Sequence, residues 1–375
     1  MTEPPRDLPF FPDFFIIGAP RCGTTSLSAY LRKHPQICFS RPKEPHYFSK
    51  LAPSFGLAGI RDRYLGRCFA NYDPAVHKAI GEGSVSYLYS VEAIETILSF
   101  NPQARFIVML RNPLEMLPSF HARMLFILQE DEASFARAWE LQEARARGER
   151  LPRHCLDPEL LRYHDIARYA ELLQRLFSIV DRERCLVLLF DDFISEPRAV
   201  YERCLAFIGV PSDGRSVFPT RQPSRRYRYA WLQRLVYPPL GTMIRFAAEV
   251  ERRASARRGK QRRKARSRRS VIRGLRKRLR DWNTITVKPE ALSPAMRDTL
   301  RAAFAADVED LGTLLQGDCT GVLHAYDVSN TMVQPPVRWE LKIGGCIEST
   351  PTVWQSREPI TSTPLTTLTS LPTNG

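Results

Sequence analysis

The sequence of 375 residues lacks the patterns that mark several specialised classes of protein. Its eight cysteines are scattered and form no CxxC pair, so neither a disulfide framework nor a zinc site is indicated, and we expect buried free thiols. No apolar run reaches the length of a membrane-spanning helix. The first residues, MTEPPRDLPFFPDFF, hold no basic segment followed by an apolar one, so no secretory signal is predicted. We therefore expect a cytoplasmic protein.

Acidic residues are absent from one segment, residues 252–280, which holds 16 Lys or Arg. The whole chain has a net charge of +15, so the rest is close to neutral. Such a segment indicates an acidic partner, either an anionic glycan or a lipid surface at the inner face of a membrane. A solvated basic insertion is the alternative. The segment has no aromatic residue for stacking on bases, so we expect no specific nucleic acid as partner.

Short apolar runs alternate with helical patterns along most of the chain. Buried strands are predicted at 14–18, 36–40, 79–82, 105–110 and 185–190, and helices at 24–34, 91–100, 113–128, 132–147, 163–178, 197–208 and 293–315. This alternation predicts an α/β fold, in which a P-loop-type parallel sheet is flanked by helices. A basic helical insertion is expected at about 245–283, and the C-terminal tail is expected to be irregular.

Composition divides the chain into four parts. We predict an N-terminal arm at 1–12, a main domain at 13–317, a separate fragment at 318–354 and a disordered Ser/Thr/Pro-rich tail at 355–375. Residues 320–354 resemble a single repeat of a quinoprotein-type β-propeller, and one repeat cannot close a propeller. An unstructured segment is the alternative for this fragment.

The most informative segment joins the first strand to the first helix. It reads Gly18-Ala-Pro-Arg-Cys-Gly-Thr-Thr-Ser26 and offers backbone N–H groups, hydroxyls and a helix N-terminus to an anion. The glycine spacing is that of a P-loop, but Thr24 stands where the P-loop has its lysine, and the cation is Arg21. This favours an anion cradle that does not depend on ATP. An ordinary strand-to-helix turn is the alternative.

A second basic position follows the strand at 105–110. Arg111 ends that strand, and Ser119 lies two turns along the next helix, so that both could hold one phosphate. The alternative is that Arg111 pairs with Glu115.

Four stretches, GAPRCGTTSL, RPKEPHYFS, GEGSVSYLYS and RFIVMLRNPLEMLPSFHARM, occur in that order and resemble the sulfotransferase superfamily that uses PAPS, 3′-phosphoadenosine 5′-phosphosulfate. The sequence is most similar to the carbohydrate (heparan-sulfate-like) and bacterial branch, over about residues 12–317 without the basic tract. The resemblance implies an enzyme that moves the sulfuryl group of PAPS to a hydroxyl or amine acceptor. The acceptor would be a glycan or glycolipid, the other product adenosine 3′,5′-bisphosphate (PAP), and no metal is expected.

The resemblance also implies roles for individual residues. Those implied to bind the donor are Arg21, Cys22, Gly23, Thr24, Thr25 and Ser26 at the 5′-phosphosulfate, and Arg111, Ser119, Ser224 and Arg225 at the 3′-phosphate. The family usually has lysine where this chain has Arg21. Arginine can neutralise a leaving phosphate but cannot give up a proton.

The catalytic base implied by the resemblance is Glu44, with Lys43 beside it in the KEPHYF motif. We expect burial to raise the pKa of Glu44 toward the working pH. Glu82 is the second candidate base and His46 the third. In the structural alternative, Glu44 only pairs with Lys43 or Arg41.

Two other functions remain open at this point. One is a P-loop kinase or NTPase, for which Asp191 and Asp192 are the only candidate magnesium ligands. The other is a non-enzymatic basic adaptor that binds anions through residues 252–280.

Overall fold

The computed structural model describes residues 8–51, 59–153, 155–219, 225–236, 274, 276–286 and 291–315. All of them lie in the unit Met1–Val328. The predicted fragment at 318–354 and the tail at 355–375 lie outside the described residues, as does most of the predicted basic insertion. Within that insertion, residues 276–283 are described and helical. The four-part division of the chain stays a prediction.

A five-stranded parallel sheet forms the centre of the fold, in the order β2-β3-β1-β4-β5. Its strands are β1 Phe14–Gly18, β2 Ile37–Phe39, β3 Ala79–Gly83, β4 Arg105–Leu110 and β5 Cys185–Leu189. Every residue of β1, β2 and β3 is buried, as expected in a parallel sheet covered on both faces, and Glu82 of β3 is the charged residue among them. The predicted α/β fold is confirmed.

The strand order determines where a ligand can bind. The connection from β1 leads toward β2 and β3 on one side, whereas β4 and β5 lie on the other side of β1. The carboxyl ends of β1 and β4 therefore flank a switch point, the position at which open α/β sheets bind ligands.

Helices and one small second sheet complete the described part of the chain. Besides the helical residues 276–283, the α-helices are α1 Thr24–Leu31, α2 Gly66–Cys68, α3 Val91–Phe100, α4 Pro113–Phe126, α5 Phe135–Glu140, α6 Gln142–Ala146, α7 Tyr163–Ile166, α8 Tyr169–Phe177, α9 Phe190–Ser195, α10 Pro197–Ile208, α11 Ala230–Val236 and α12 Pro294–Leu314. Shorter 3₁₀ segments lie at Val85–Tyr89, Pro158–Leu161 and Arg182–Arg184, and π-helical segments at Tyr47–Leu51 and Ile60–Leu65. Strands β6 Arg225–Tyr227 and β7 Thr284–Thr286 pair antiparallel.

Helix α12 follows its sequence pattern. Ser293 caps it by accepting the N–H of Met296 at 3.2 Å. Its apolar stripe, which includes Leu300 and Phe304, is buried against α8 and α4. The helix is therefore held by its packing face and its cap together.

Two predicted helices are each interrupted, and a side-chain hydrogen bond to a distant segment lies at each break. The helix predicted at 163–178 is divided into α7 and α8, and the Asp307 carboxylate of α12 accepts the N–H of Ala170 at the start of α8 (3.1 Å). The helix predicted at 132–147 breaks at Leu141, and the Gln142 amide beside it binds Trp139 O and the N–H of His164. The strand predicted at 185–190 is one residue shorter, because Phe190 begins α9.

A buried ion pair connects α6 to the segment after α4. Both side chains, Glu130 and Arg145, are fully buried and form two N–H···O contacts of 2.7 Å. Tyr163 donates a further hydrogen bond to Glu130 at 2.8 Å. Burial raises the pKa of Glu130, but Arg145 and the other donors outweigh it and hold the pKa below its usual range.

Breaking this pair is expected to destabilise the fold strongly. Arg145→Met should lower the free energy of unfolding by about 3–5 kcal/mol, because it leaves the Glu130 charge buried without a partner. Urea denaturation of the single variant and of the double variant Arg145→Met/Glu130→Gln measures this effect. The double variant should recover part of the loss, since its glutamine is neutral; equal stability of the two variants would contradict the explanation.

Candidate active site

The loop between β1 and α1 has a backbone that requires glycine. Gly23 has a φ of +83°, in the left-handed region, and a Cβ there would lie 3.0 Å from the ring of Phe190. Gly23 is also the N-cap of α1, and no side chain in the described part of the chain caps this helix. The first turn of α1 can therefore offer its N–H groups to an anion.

Two basic side chains and one hydroxyl from separate segments meet beside this loop. Arg21 donates from Nε to Ser119 Oγ at 2.9 Å, and Arg111 donates from Nη1 to the carbonyl oxygen of Arg21 at 3.5 Å. The ends of β1 and β4 and helix α4 thus supply one cluster. This is the arrangement expected at the carboxyl edge of a parallel sheet.

Arg111 has two further partners. Its Nη2 lies 2.7 Å from Glu115 Oε2, which is the alternative partner that the sequence offered. Its guanidinium carbon lies 4.4 Å from the centre of the Phe190 ring. Because the ring supports the guanidinium from one face, Arg111 is held at the end of its strand.

The remaining residues of the loop differ in what they can contribute. Cys22 is fully buried, its thiol donates to Pro20 O at 3.4 Å, and burial raises the pKa of the thiol to about 12. It is therefore a neutral core side chain, and only its backbone suits an anion site. Thr24 and Ser26 are also buried, whereas Thr25 is half-buried.

Lys43 connects the loop to the candidate base. Its Nζ lies 3.2 Å from Thr24 Oγ1 and 2.5 Å from Glu44 Oε1. The side chain of Glu44 is 37% exposed, so a substrate can reach it. Glu44 thus pairs with Lys43, as the structural alternative predicted. This pairing leaves the carboxylate accessible, so it does not exclude a catalytic role.

The expectation for the pKa of Glu44 is wrong. Burial raises this pKa, but the nearby His46 ring and the contact with the Lys43 ammonium outweigh it and lower the pKa to about 2. Glu44 is therefore a stable carboxylate in the free protein. Local sequence could not indicate this outcome, because it is the balance of opposing contributions.

His46, the third candidate base, is oriented by two serines. Its Nδ1 lies 2.7 Å from Ser86 Oγ, and its backbone N–H donates to Ser84 Oγ at 3.0 Å. Its Nε2 lies 3.8 Å from Glu44 Oε2. The ring therefore faces the carboxylate rather than standing alone.

Glu82, the second candidate base, is closed to a substrate. It is fully buried in β3, one carboxylate oxygen accepts from Ser84 Oγ at 2.5 Å, and the other accepts from the hydroxyl of Tyr64. Burial raises its pKa. The geometry favours a structural role for Glu82, so it is not retained as a base.

Two residues predicted to bind the 3′-phosphate, Ser224 and Arg225, lie where the described part of the chain resumes. Ser224 lies outside the described residues. Arg225 opens β6, where its backbone pairs with Thr286, and β6 packs against α4, the helix that carries Ser119. The later basic segment therefore runs beside a helix of the site, and the roles of Ser224 and Arg225 remain predictions.

The candidate magnesium ligands of the kinase alternative lie in the first turn of α9. Burial raises the pKa of both carboxyls, Asp191 and Asp192. Over the ranges described, no three His, Cys, Asp or Glu side chains are grouped as metal ligands.

Phe190 is a residue of the site that the sequence did not indicate. Its ring lies next to Gly23 on one side and packs against the guanidinium of Arg111. No local pattern marks it, because its partners come from two distant segments of the chain.

The chain is similar to known proteins over much of its length. Residues 12–214 match the family described as "Sulfotransferase family". Human "Carbohydrate sulfotransferase 15" is 27% identical over 274 residues, which cover 58% of this chain and 47% of the relative. "Membrane-associated sulfotransferase kil1" of Dictyostelium discoideum is 33% identical over 112 residues, which cover 29% of this chain and 22% of the relative. The chain thus spans about half the length, or less, of these curated relatives.

A solved structure shares the architecture. The crystal structure of a sulfotransferase from Alicyclobacillus acidocaldarius aligns with a TM-score of 0.54 and 25% sequence identity, over 84% of this chain and 99% of that one.

The predicted cytoplasmic location is wrong, together with its placement at the inner face of a membrane. The similar proteins are carbohydrate sulfotransferases and a membrane-associated sulfotransferase. Within the described ranges, no helix has the length and hydrophobicity needed to cross a bilayer.

The resemblance seen in the four motifs is confirmed by the family match, which covers more than half of the chain and includes all four of them. The parallel sheet has the architecture that the resemblance implied. The chain belongs to the sulfotransferase family.

Proposed function

We propose that this protein transfers the sulfuryl group of PAPS to a hydroxyl or amine of a glycan. The observation that carries the proposal is one cluster at the ends of β1 and β4, in which Arg21 binds Ser119 and Arg111 binds the backbone of Arg21. A carboxylate that a substrate can reach lies beside it, because Lys43 binds both Thr24 and Glu44. The carbohydrate sulfotransferases among the relatives support a glycan as acceptor.

The residues present suit a nucleotide that carries anionic groups at two ends. The loop from Arg21 to Ser26 offers a guanidinium, hydroxyls and the N-terminus of α1 to one end. Arg111 and Ser119 offer a charged donor and a neutral one to the other. Glu115, which now holds Arg111, is exposed, so a phosphate of higher charge can displace it.

Different residues of the chain serve the different parts of the reaction. When bound, PAPS supplies a sulfuryl group that an acceptor oxygen can attack in line. Glu44 accepts the proton of the acceptor, and its exposed position allows a hydroxyl to approach. Arg21 and the N–H groups of the loop neutralise the charge that develops on the leaving phosphate.

Lys43 connects occupancy of the loop to the strength of the base. Its ammonium contacts both Thr24 and Glu44. An anion in the loop competes with Glu44 for this ammonium, and the pKa of Glu44 rises as the contact weakens. The carboxylate is thus a poor base in the free protein and a better one when the donor site is filled.

Calorimetry of the full chain with three ligands tests the proposal. PAP should bind in the presence of EDTA, and 5′-AMP should bind at least about 10-fold more weakly, because it lacks the 3′-phosphate that Arg111 would hold. ATP with Mg²⁺ should compete poorly, since the loop has no P-loop lysine. Preference for ATP with Mg²⁺, or equal affinity for PAP and AMP, would move the assignment to the kinase or to the anion-binding adaptor.

A further inference from the structure

A group of exposed aromatic side chains lies on the segments around β6 and β7. Trp231 is 65% exposed, Trp282 54% and Tyr229 48%. Together with Arg228 they form what we call the aromatic–basic surface. Large aromatic side chains are buried on average, so the exposure of three of them on two paired segments indicates an interaction site.

This surface is held by a buried polar residue. Asn283 accepts the N–H of Tyr229 at 2.9 Å, donates to Tyr229 O at 3.1 Å and accepts the N–H of Arg228 at its backbone carbonyl. The rings of Tyr229 and Trp282 stack with centres 5.7 Å apart, and the guanidinium of Arg228 lies 5.8 Å from the Trp282 ring. Tyr229, Trp282 and Arg228 are therefore presented in a defined arrangement, and Trp231 follows Tyr229 by two residues.

Helix α4 contacts both the segments of this surface and the candidate active site. Gln233 of α11 donates to Phe126 O, the last residue of α4, at 2.6 Å, and also accepts from Asn283. Strand β6 packs on α4 as well. Ser119 lies on that helix, so a long molecule on the surface can extend toward the site.

The charge of the surrounding segments indicates the chemistry of the partner. Residues 225–236 and 276–286 contain eight Arg or Lys and one acidic residue, Asp281, which lies 3.5 Å from Arg280. Among the side chains described in these segments, the exposed large hydrophobic ones are all aromatic. An anionic polysaccharide offers C–H faces to stack on such rings and carboxylates or sulfates to bind guanidinium groups. Insertion into a bilayer would favour aliphatic groups as well.

We propose that the aromatic–basic surface binds an anionic polysaccharide and holds it beside the active site. The inference rests on the proposed function and deepens it, because it makes the acceptor a charged polymer rather than a small hydroxyl compound. The surface recognises several sugar units, whereas the active site acts on one.

Binding of the full chain to heparin as the probe, over a series of salt concentrations, tests this inference. Trp231→Ala and Trp282→Ala should each lower the affinity about 10-fold at every salt concentration, as loss of one stacking contact does. Arg228→Ser should reduce the slope of log affinity against log salt by about 1. Arg147→Ser is the matched control, because it removes an exposed arginine in another segment, and it should leave heparin affinity near that of the wild type.

The outcomes separate the two proposals. Trp231 is largely solvent-exposed, so its variant should fold, and unchanged PAP affinity in that variant confirms an intact donor site. Wild-type heparin affinity in both tryptophan variants would overturn the surface proposal while PAP binding still supports the function. Binding of anionic phospholipid vesicles or RNA in preference to heparin would also overturn it. Failure of the wild type to bind PAP would instead count against the proposed function.

Discussion

Replacing Glu44 with glutamine is expected to lower kcat for sulfate transfer by about 10²- to 10⁴-fold, the range for loss of a general base. Glutamine keeps the shape of the side chain but cannot accept the proton of the acceptor. Affinity for PAP should be unchanged or higher, because the substitution also releases Lys43 from its partner. Calorimetry with PAP and a sulfate-transfer assay with a glycan acceptor measure the two quantities separately.

Glu82→Gln is the matched control for this prediction. Glu82 is buried and bonded to Ser84 and Tyr64, so its variant should lose thermal stability while kcat stays near that of the wild type. The opposite pattern, a large loss of kcat in Glu82→Gln and a small one in Glu44→Gln, would assign the base to Glu82.

The pH profile checks the same assignment. With a pKa of about 2, Glu44 is ionised in the free protein across the range in which enzymes are assayed, so kcat/KM has no acid limb from this group. Lys43 and His46 are the charged and titratable groups that hold the pKa down. Lys43→Met removes a cation that favours the carboxylate, so the pKa of Glu44 rises and an acid limb should appear at the low-pH end of the kcat/KM profile. An unchanged profile would show that Lys43 does not act through Glu44.

The sheet could be predicted from sequence because its strands are short apolar runs with clear ends. The runs 14–18 and 105–110 end at Gly18 and before Arg111, where the apolar pattern stops, and helix α3 occupies the residues predicted for it. The breaks in the helices could not be predicted in this way. The carboxylate of Asp307, which binds the start of α8, belongs to α12 and is 137 residues away in sequence. The sequence around residues 163–178 therefore does not show why the helix breaks there.

The candidate site, too, could be predicted from sequence only in part. Each of its motifs follows directly after a strand, and parallel strands bring such ends to one edge, so the neighbourhood of Arg21 and Arg111 follows from sequence. The individual contacts do not. The bond from Arg21 to Ser119 and the ring of Phe190 under Arg111 depend on how three segments pack, and the pKa of Glu44 depends on which of its neighbours prevails.

Arg111→Ala is expected to lower the affinity for PAP by about 10²-fold, the size of a lost charge-assisted contact with two hydrogen bonds. Arg111→Lys should lose part of this amount, because lysine keeps the charge but not the paired donors. Glu115→Gln keeps the guanidinium and removes the carboxylate that now holds it, so its PAP affinity should equal or exceed that of the wild type.

The ligand 5′-AMP decides where Arg111 acts. If Arg111 holds the 3′-phosphate, Arg111→Ala should weaken PAP alone and leave the affinity for AMP unchanged, so that the two ligands become nearly equivalent. Arg111 also contacts the backbone of Arg21, which gives it a second route to the loop. A parallel loss of PAP and AMP affinity would therefore show that Arg111 supports the 5′ loop through that contact, and the 3′-phosphate would have to be held by other residues.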